Sequence, residues 1–344
     1  MLKIIAFAFL IFSQLSIANK NCTESISYTV TSKRQSDRPE NRGKIFKLKD
    51  HPKGILINAR FFPDFELKHL KKAGVPVGIL NPKQPPKGRL ILLHGLGYDI
   101  STIFSLMVPA LTLHNILEGK TNDSYAKWFN ENFPEYQFPL QIVVVDVPPM
   151  GWAQPLDNFS NMLELSNYFR LIKAELDSEL PLKNFYISRS ASAKMALIAG
   201  QDDAGVVITG GTYPHPEVVH ANIEEIKRLE KEENQLPNWP IIHQFSKMIL
   251  DPVFHFELEV ATSKNTPVLS LIGGNDAETP ELAQKLWKEL LKVSEENPHR
   301  SQFIIEGAGH QVFKRPEKLG PEISDKDPEI KAYQLLFSFL KKYL

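Results

Sequence analysis

The sequence predicts an α/β fold: a mostly parallel twisted sheet covered by helices, with a helical segment inserted near its ligand-binding edge. Two observations predict it. Short apolar runs recur at residues 90–93, 142–145, 185–187, 206–208, 268–272 and 303–305, and they are near-continuous rather than alternating, which means burial on both faces of a parallel sheet. Between several of them lie amphipathic stretches of helical length, such as 161–176, where Leu165, Phe169, Ile172 and Leu176 repeat every three or four residues. Runs and stripes in alternation form a βαβ series.

The remaining elements follow in order. The chain closes with Asp327-Pro328 and then Ile330, Tyr333, Phe337 and Leu340, an N-cap, a first-turn proline and one apolar stripe, so a last helix packs on the sheet. Residues 213–264 break the alternation with IEEIKRLEKEE and LPNWPIIHQF. This stretch is expected as an insertion over the carboxyl edge of the sheet, where open α/β sheets bind ligands. It reads either as a lid or as a solvated helical excursion. The 344 residues fit one such domain, at 54–344, behind a polar lead-in at 19–53 broken by Pro39 and Gly43.

Residues 1–18 place Lys3 ahead of an apolar run and end on Ser16-Ile17-Ala18, the small-x-small pattern of a secretory cleavage site. A secreted or periplasmic protein whose mature chain starts at Asn19 is expected. The apolar run is far short of the ~20 residues of a membrane-spanning helix, so no stable membrane anchor is expected. Cys22 is the only cysteine, which leaves no intrachain disulfide. Lys plus Arg and Asp plus Glu number 40 each, and this balance gives no footprint for nucleic acid. His215, His220, His243 and His255 lie in the insertion without a short regular ligand spacing, so neither a metal nor another cofactor is expected.

Four motifs carry chemistry, each directly after an apolar run. RLILLHGLGYD ends its run at His94-Gly95-Leu96-Gly97; glycines there let the backbone turn tightly and aim an N–H into a cleft, as an oxyanion site requires. His94 itself is expected to pack or hydrogen-bond. NFYISRSASAKMALIAG puts Ser190 where a strand meets a helix-forming stretch, flanked two residues away by Ser188 and Ser192. A nucleophile on such a sharp turn needs small neighbours, usually glycines; a serine N-cap would leave the same trace. Arg189 either pairs with a carboxylate or meets an anionic group of a substrate.

TPVLSLIGGNDAETP presents Asp276, with Glu278 as a local competitor; an acid in this place can orient a histidine and stabilise its imidazolium. SQFIIEGAGHQVFKRP puts His310 on the loop after the last run, and an unperturbed pKa near ~6.5 suits it to take and return a proton near neutrality. The order Ser, Asp, His is that of the serine enzymes built on α/β sheets. After another run, Asp146 is expected to support its loop, and Met150 and Trp152 either line a substrate pocket or simply pack.

HGLG, VVVDVPPMGWAQ, SRSAS, GGND and GAGH together make the chain resemble the α/β-hydrolase family over 54–344. The resemblance implies Ser190, Asp276 and His310 as a catalytic triad and the backbone N–H groups of Leu96 and Ala191 as an oxyanion hole. It also implies a small-molecule ester or other acyl substrate. The missing elbow glycines keep open a different function, a secreted binding protein that retains the fold without turnover.

Overall fold

The computed structural model describes residues 45–46, 55–56, 65–95, 104–120, 124–148, 159–233, 239–313, 323–324 and 326–344. The expected signal peptide, nearly all of the lead-in, Leu96, Met150 and Trp152 lie outside the described residues.

A two-residue antiparallel ladder joins Ile45–Phe46 (β1) to Ile55–Leu56 (β2). The main sheet has eight strands: Glu66–Leu70 (β3), Val75–Leu80 (β4), Gly88–Leu93 (β5), Leu140–Val145 (β6), Lys183–Arg189 (β7), Gly205–Thr209 (β8), Val268–Gly273 (β9) and Arg300–Ile305 (β10). Their order is β10-β9-β8-β7-β5-β6-β4-β3. From β6 across to β10 every pair is parallel, while β4 pairs antiparallel with both β6 and β3. All six apolar runs named from the sequence are strands of this sheet, but the last, β10, lies at its edge and leaves Phe303 and Ile304 exposed rather than buried on both faces. The antiparallel pair escaped that reading because Lys68, Pro76 and Gly78 interrupt its apolar residues.

Helices cover both faces. Side-chain alternation in the buried strands decides which residues go where: Leu90, Leu92, Ile142, Val144, Phe185 and Ile187 join one core, and Ile91, Leu93, Val143, Val145 and Tyr186 the other. The first core is closed by helices Phe104–Leu117 (α1), Ser124–Asn132 (α2) and Pro328–Tyr343 (α9), with Leu113, Phe129, Tyr333 and Phe337 facing the sheet. The second is closed by Met162–Glu179 (α3), Ala193–Ala199 (α4) and Glu281–Leu290 (α8), through Leu165, Phe169, Ile172, Met195 and Trp287.

Local signals set the helix ends. Asn161 caps α3 by accepting the Glu164 N–H at 3.0 Å, and the Glu164 carboxylate returns the favour to the Ser160 N–H at 2.7 Å. Asp327 and Pro328 start α9 as the sequence predicts.

The inserted stretch is three helices, Pro216–Glu233 (α5), Trp239–Ile249 (α6) and Pro252–Ser263 (α7). Asp251 caps α7 by accepting the Val253 N–H at 2.9 Å. Phe254 and Leu258 of α7 are buried in the same core as α3 and α4, so the last inserted helix is part of the layer that covers the sheet.

Parallel strands end on a common edge. Ser190, Gly210, Asp276 and His310 follow β7, β8, β9 and β10, four consecutive neighbours in the sheet, and all leave it at the carboxyl edge.

Candidate active site

Ser190 is the first residue after β7 and opens a 3₁₀ turn, Ser190–Ser192, that runs into α4. Its φ is +53°, a left-handed conformation that costs a non-glycine residue about 1–3 kcal/mol and persists only when the surroundings impose it. Those surroundings are the two flanking serines. Ser188 Oγ donates to the carbonyl of Val207 in the next strand at 3.1 Å. Ser192 Oγ accepts the Arg189 N–H at 3.1 Å and lies 2.9 Å from the carbonyl oxygens of Leu93 and Arg189. Where glycines would merely fit, these serines tie the turn to β8 on one side and to β5 on the other.

The end of β5 presses directly on this turn. A Cβ on Gly95 would stand 3.2 Å from Ser190 Cβ and 3.4 Å from the Arg189 carbonyl oxygen, so the close approach suits glycine. His94 holds the loop: its Nε2 accepts the Val147 N–H at 2.9 Å, which leaves the proton on Nδ1, 2.8 Å from the Gly95 carbonyl. The buried Asp146 carboxylate is 3.3 Å from the same Nε2. Through the Val147 N–H, His94 thus joins the loops after β5 and β6, a structural task. Ala191, the second residue of the turn, is buried; an N–H at this point of a helical start has no carbonyl within the helix to meet.

His310 and Asp276 meet across adjacent loops. The chain after β9 follows the chain after β10 closely: the Gly274 N–H donates to Ile305 O and the Asn275 N–H to Ala308 O, both at 2.9 Å. A Cβ on Gly273 would come within 2.2 Å of the Gly309 carbonyl oxygen. This contact admits no side chain. It brings both carboxylate oxygens of Asp276 to 3.0 Å from His310 Nδ1.

Burial of Asp276 works to raise its pKa, but the hydrogen bond and positive charge of His310, with the Glu278 N–H at 2.9 Å, outweigh it and hold the carboxyl below its ordinary value. On the other side of the ring, His310 Nε2 is 3.5 Å from the Glu278 carboxylate. Asp276 and Glu278, rivals in the sequence, therefore take opposite nitrogens of one imidazole.

Gly210 connects the two halves. Arg189 pairs with Thr209 across β7 and β8, so Ser190 and Gly210 leave the sheet side by side. Gly210 has φ +53°, and a Cβ there would lie 2.9 Å from the His310 ring and 3.0 Å from Asp276 Oδ2. Its bare backbone is the floor under the His310–Asp276 pair. Among the described residues, no hydrogen bond joins Ser190 to His310, whose ring nitrogens face Asp276 and Glu278. The described residues contain no cluster of metal-ligating side chains.

The chain thus carries a strand-to-helix turn and a histidine–carboxylate pair at the carboxyl edge of a mostly parallel eight-stranded sheet. The chain is similar in fold to DcsB, solved in complex with a substrate analogue, at 13% identity over 81% of this chain and 100% of that one, with a TM-score of 0.50. It is the fold of the α/β-hydrolases.

Other solved structures similar to the chain include a monoacylglycerol lipase from Paleococcus ferrophilus, at 17% identity over 81% of this chain and 100% of that one, TM-score 0.44. A thermophilic esterase from Thermogutta terrifontis is 15% identical over 78% of this chain and 94% of that one, TM-score 0.43. No family model and no curated protein matches the sequence.

Within this α/β-hydrolase fold, two supports of the site were missed by the sequence reading. Gly210 carried a visible trace in the pair Gly210-Gly211 at the end of an apolar run, the same trace that marked Gly95. Asn222 had none. It lies on α5, accepts the Thr212 hydroxyl at 2.9 Å and donates to the Glu278 carbonyl at 2.6 Å, a role that exists only once the insertion has folded back.

Proposed function

We propose that this chain is an exported serine hydrolase that cleaves carboxylic esters through an acyl-enzyme. The observation that carries the reading is His310 Nδ1 held by both oxygens of Asp276 beside a strained strand-to-helix turn with Ser190 at its apex. In this reading His310 Nε2 removes the Ser190 proton as Oγ attacks the acyl carbonyl, and Asp276 stabilises the imidazolium that forms. The N–H groups of Ala191 and Leu96 receive the negative charge that develops on the carbonyl oxygen. The imidazolium then protonates the departing alcohol, and a water activated in the same way releases the acid.

An ester asks least of such a site, because its alkoxide departs more readily than the amide nitrogen that the same histidine would otherwise have to protonate. Met150 and Trp152 belong to this reading as pocket walls, and the first two inserted helices, α5 and α6, as a lid over the carboxyl edge. Nε2 faces Glu278, so acylation requires the ring to exchange that carboxylate for Ser190 while Nδ1 stays on Asp276.

The test is labelling by a fluorophosphonate probe together with turnover of p-nitrophenyl esters. The wild type should label and hydrolyse, and Ser190→Ala should do neither. A folded wild type that fails at both would end the reading. One observation favours a second reading, a binding protein without turnover: the nitrogen that must meet Ser190 rests against a carboxylate instead. That reading predicts saturable binding of an acyl ligand with neither labelling nor hydrolysis.

A further inference from the structure

Lys194 lies on α4, four residues after Ser190, and is fully buried. Its Nζ donates to the Thr212 carbonyl at 2.7 Å. Removing a lysine from water with one neutral acceptor is costly, and burial pushes its pKa down to about 7. The amine therefore sheds much of its charge near neutrality, in a form that a single carbonyl can satisfy. An apolar side chain of similar length would fill the same space without that cost, so what the lysine contributes is a donor aimed at one carbonyl.

Thr212 is the third of three residues that are each pinned. The Gly210 N–H donates to Leu271 O at 3.1 Å, Gly211 O accepts the Trp287 indole N–H at 2.6 Å, and Thr212 holds Lys194 through its carbonyl and Asn222 through its hydroxyl. Gly210 is the floor of the His310–Asp276 pair, and Asn222 reaches on to the carbonyl of Glu278 in the acid loop. On the other side, Lys194 belongs to the helix that the Ser190 turn starts.

We propose that Lys194 is a positioning residue whose bond to the Thr212 carbonyl locks the Ser190 helix to the segment beneath the His310–Asp276 pair, and so sets the separation of nucleophile and base. The inference rests on the serine-hydrolase reading for its catalytic consequence. Its structural content, that the lysine controls the setting of the imidazole, does not need turnover to be tested.

The experiment compares wild type with Lys194→Met, which fills the space but cannot donate, and Lys194→Gln, which keeps an N–H donor. Three readouts are taken: kcat and KM on a p-nitrophenyl ester, thermal unfolding, and the low-field NMR resonance of the His310 Nδ1 proton. Lys194→Met should unfold at higher temperature, because the buried amine is gone. That gain should be largest at pH 7 and below and shrink toward pH 10.5, since the unfolded lysine keeps its proton over a range in which the folded one has lost it. Its kcat should nevertheless fall on the order of 10- to 100-fold, the scale of a misplaced catalytic group, with KM little changed and the Nδ1 proton resonance shifted. Lys194→Gln should recover part of both.

A Lys194→Met protein with full kcat and an unmoved resonance would overturn the proposal. So would loss of folding in both variants, which would make the lysine a stabiliser only. If wild type itself neither labels nor turns over, the hydrolase reading fails, and the His310 resonance in wild type and variant still decides the positioning claim.

Discussion

At Asp276 a measurable stability effect and the proposed chemistry meet in one residue. Its carboxyl is held below its ordinary pKa of 3.8 because the favourable contacts to His310 and the Glu278 N–H exceed the burial penalty. A group whose pKa is depressed by folding contributes stability that is present above its unfolded value and is lost as pH falls through its folded value. Asp276→Asn should therefore unfold more easily than wild type above about pH 4, and the gap should close under more acid conditions. Denaturant titrations of both proteins across that range check it; a gap that persists at the acid end would place the interaction elsewhere. In the proposed mechanism the same change lowers kcat by as much as about 10⁴, as the imidazole loses its orienting charge. Glycines act at the same scale. Gly95, Gly210 and Gly273 stand where loops press on Ser190, His310 and Gly309; of the three only Gly95 was expected from the sequence. Lys194 had no such sign, because a lysine in a helix is read as solvent-facing until the packing of α4 is known.

Elements divide the labour between the two edges of the sheet. At the amino edge, Arg89 in β5 is buried and gives its donors to Gln141 in β6 at 2.6 Å, Asn184 in β7 at 3.0 Å, Asp177 in α3 at 2.6 Å and the Leu180 carbonyl at 2.8 Å. One guanidinium thus fastens three strands and a helix. Arg89→Met should cost about 3–5 kcal/mol of stability, the usual penalty for removing one partner of a buried charged network. The carboxyl edge lies at the other end of the same strands, so kcat of the folded fraction should stay at the wild-type value. Chemical denaturation alongside an ester assay separates the two effects, and a large drop in kcat at full folding would contradict the division. The turn after β7 makes the complementary point: its strain at Ser190 is sustained by Ser188 and Ser192, whose hydroxyls bond to β8 and β5. The sequence marked the departure from glycine there; what the serines do was visible only with the neighbouring strands in place.

For the whole molecule, the described part is a sheet with two cores and a candidate site on one edge, and the proposed function adds a leader that precedes it. The export reading predicts that expression of the full chain in a secreting host yields a protein outside the cytoplasm whose first residue, by amino-terminal sequencing, is Asn19. Recovery of an intact Met1 terminus in the cytoplasmic fraction would refute it. Among the described residues no helix is long and apolar enough to cross a membrane.

The fold was legible because its evidence is local: a strand buried on both faces must be apolar throughout, a helix must show a stripe, and glycines must appear where loops crowd. The order of serine, acid and histidine was legible for the same reason, since each stands directly after its own strand. Which contacts those residues make is a different kind of fact. That His310 lies between Asp276 and Glu278, that Gly210 floors the pair, that Lys194 ties its helix to Thr212, and that Asn222 ties the insertion to the acid loop all depend on residues far apart in the chain being brought to one edge. Side chains at such positions carry no periodic mark, so only the packing of helix on sheet assigns their partners.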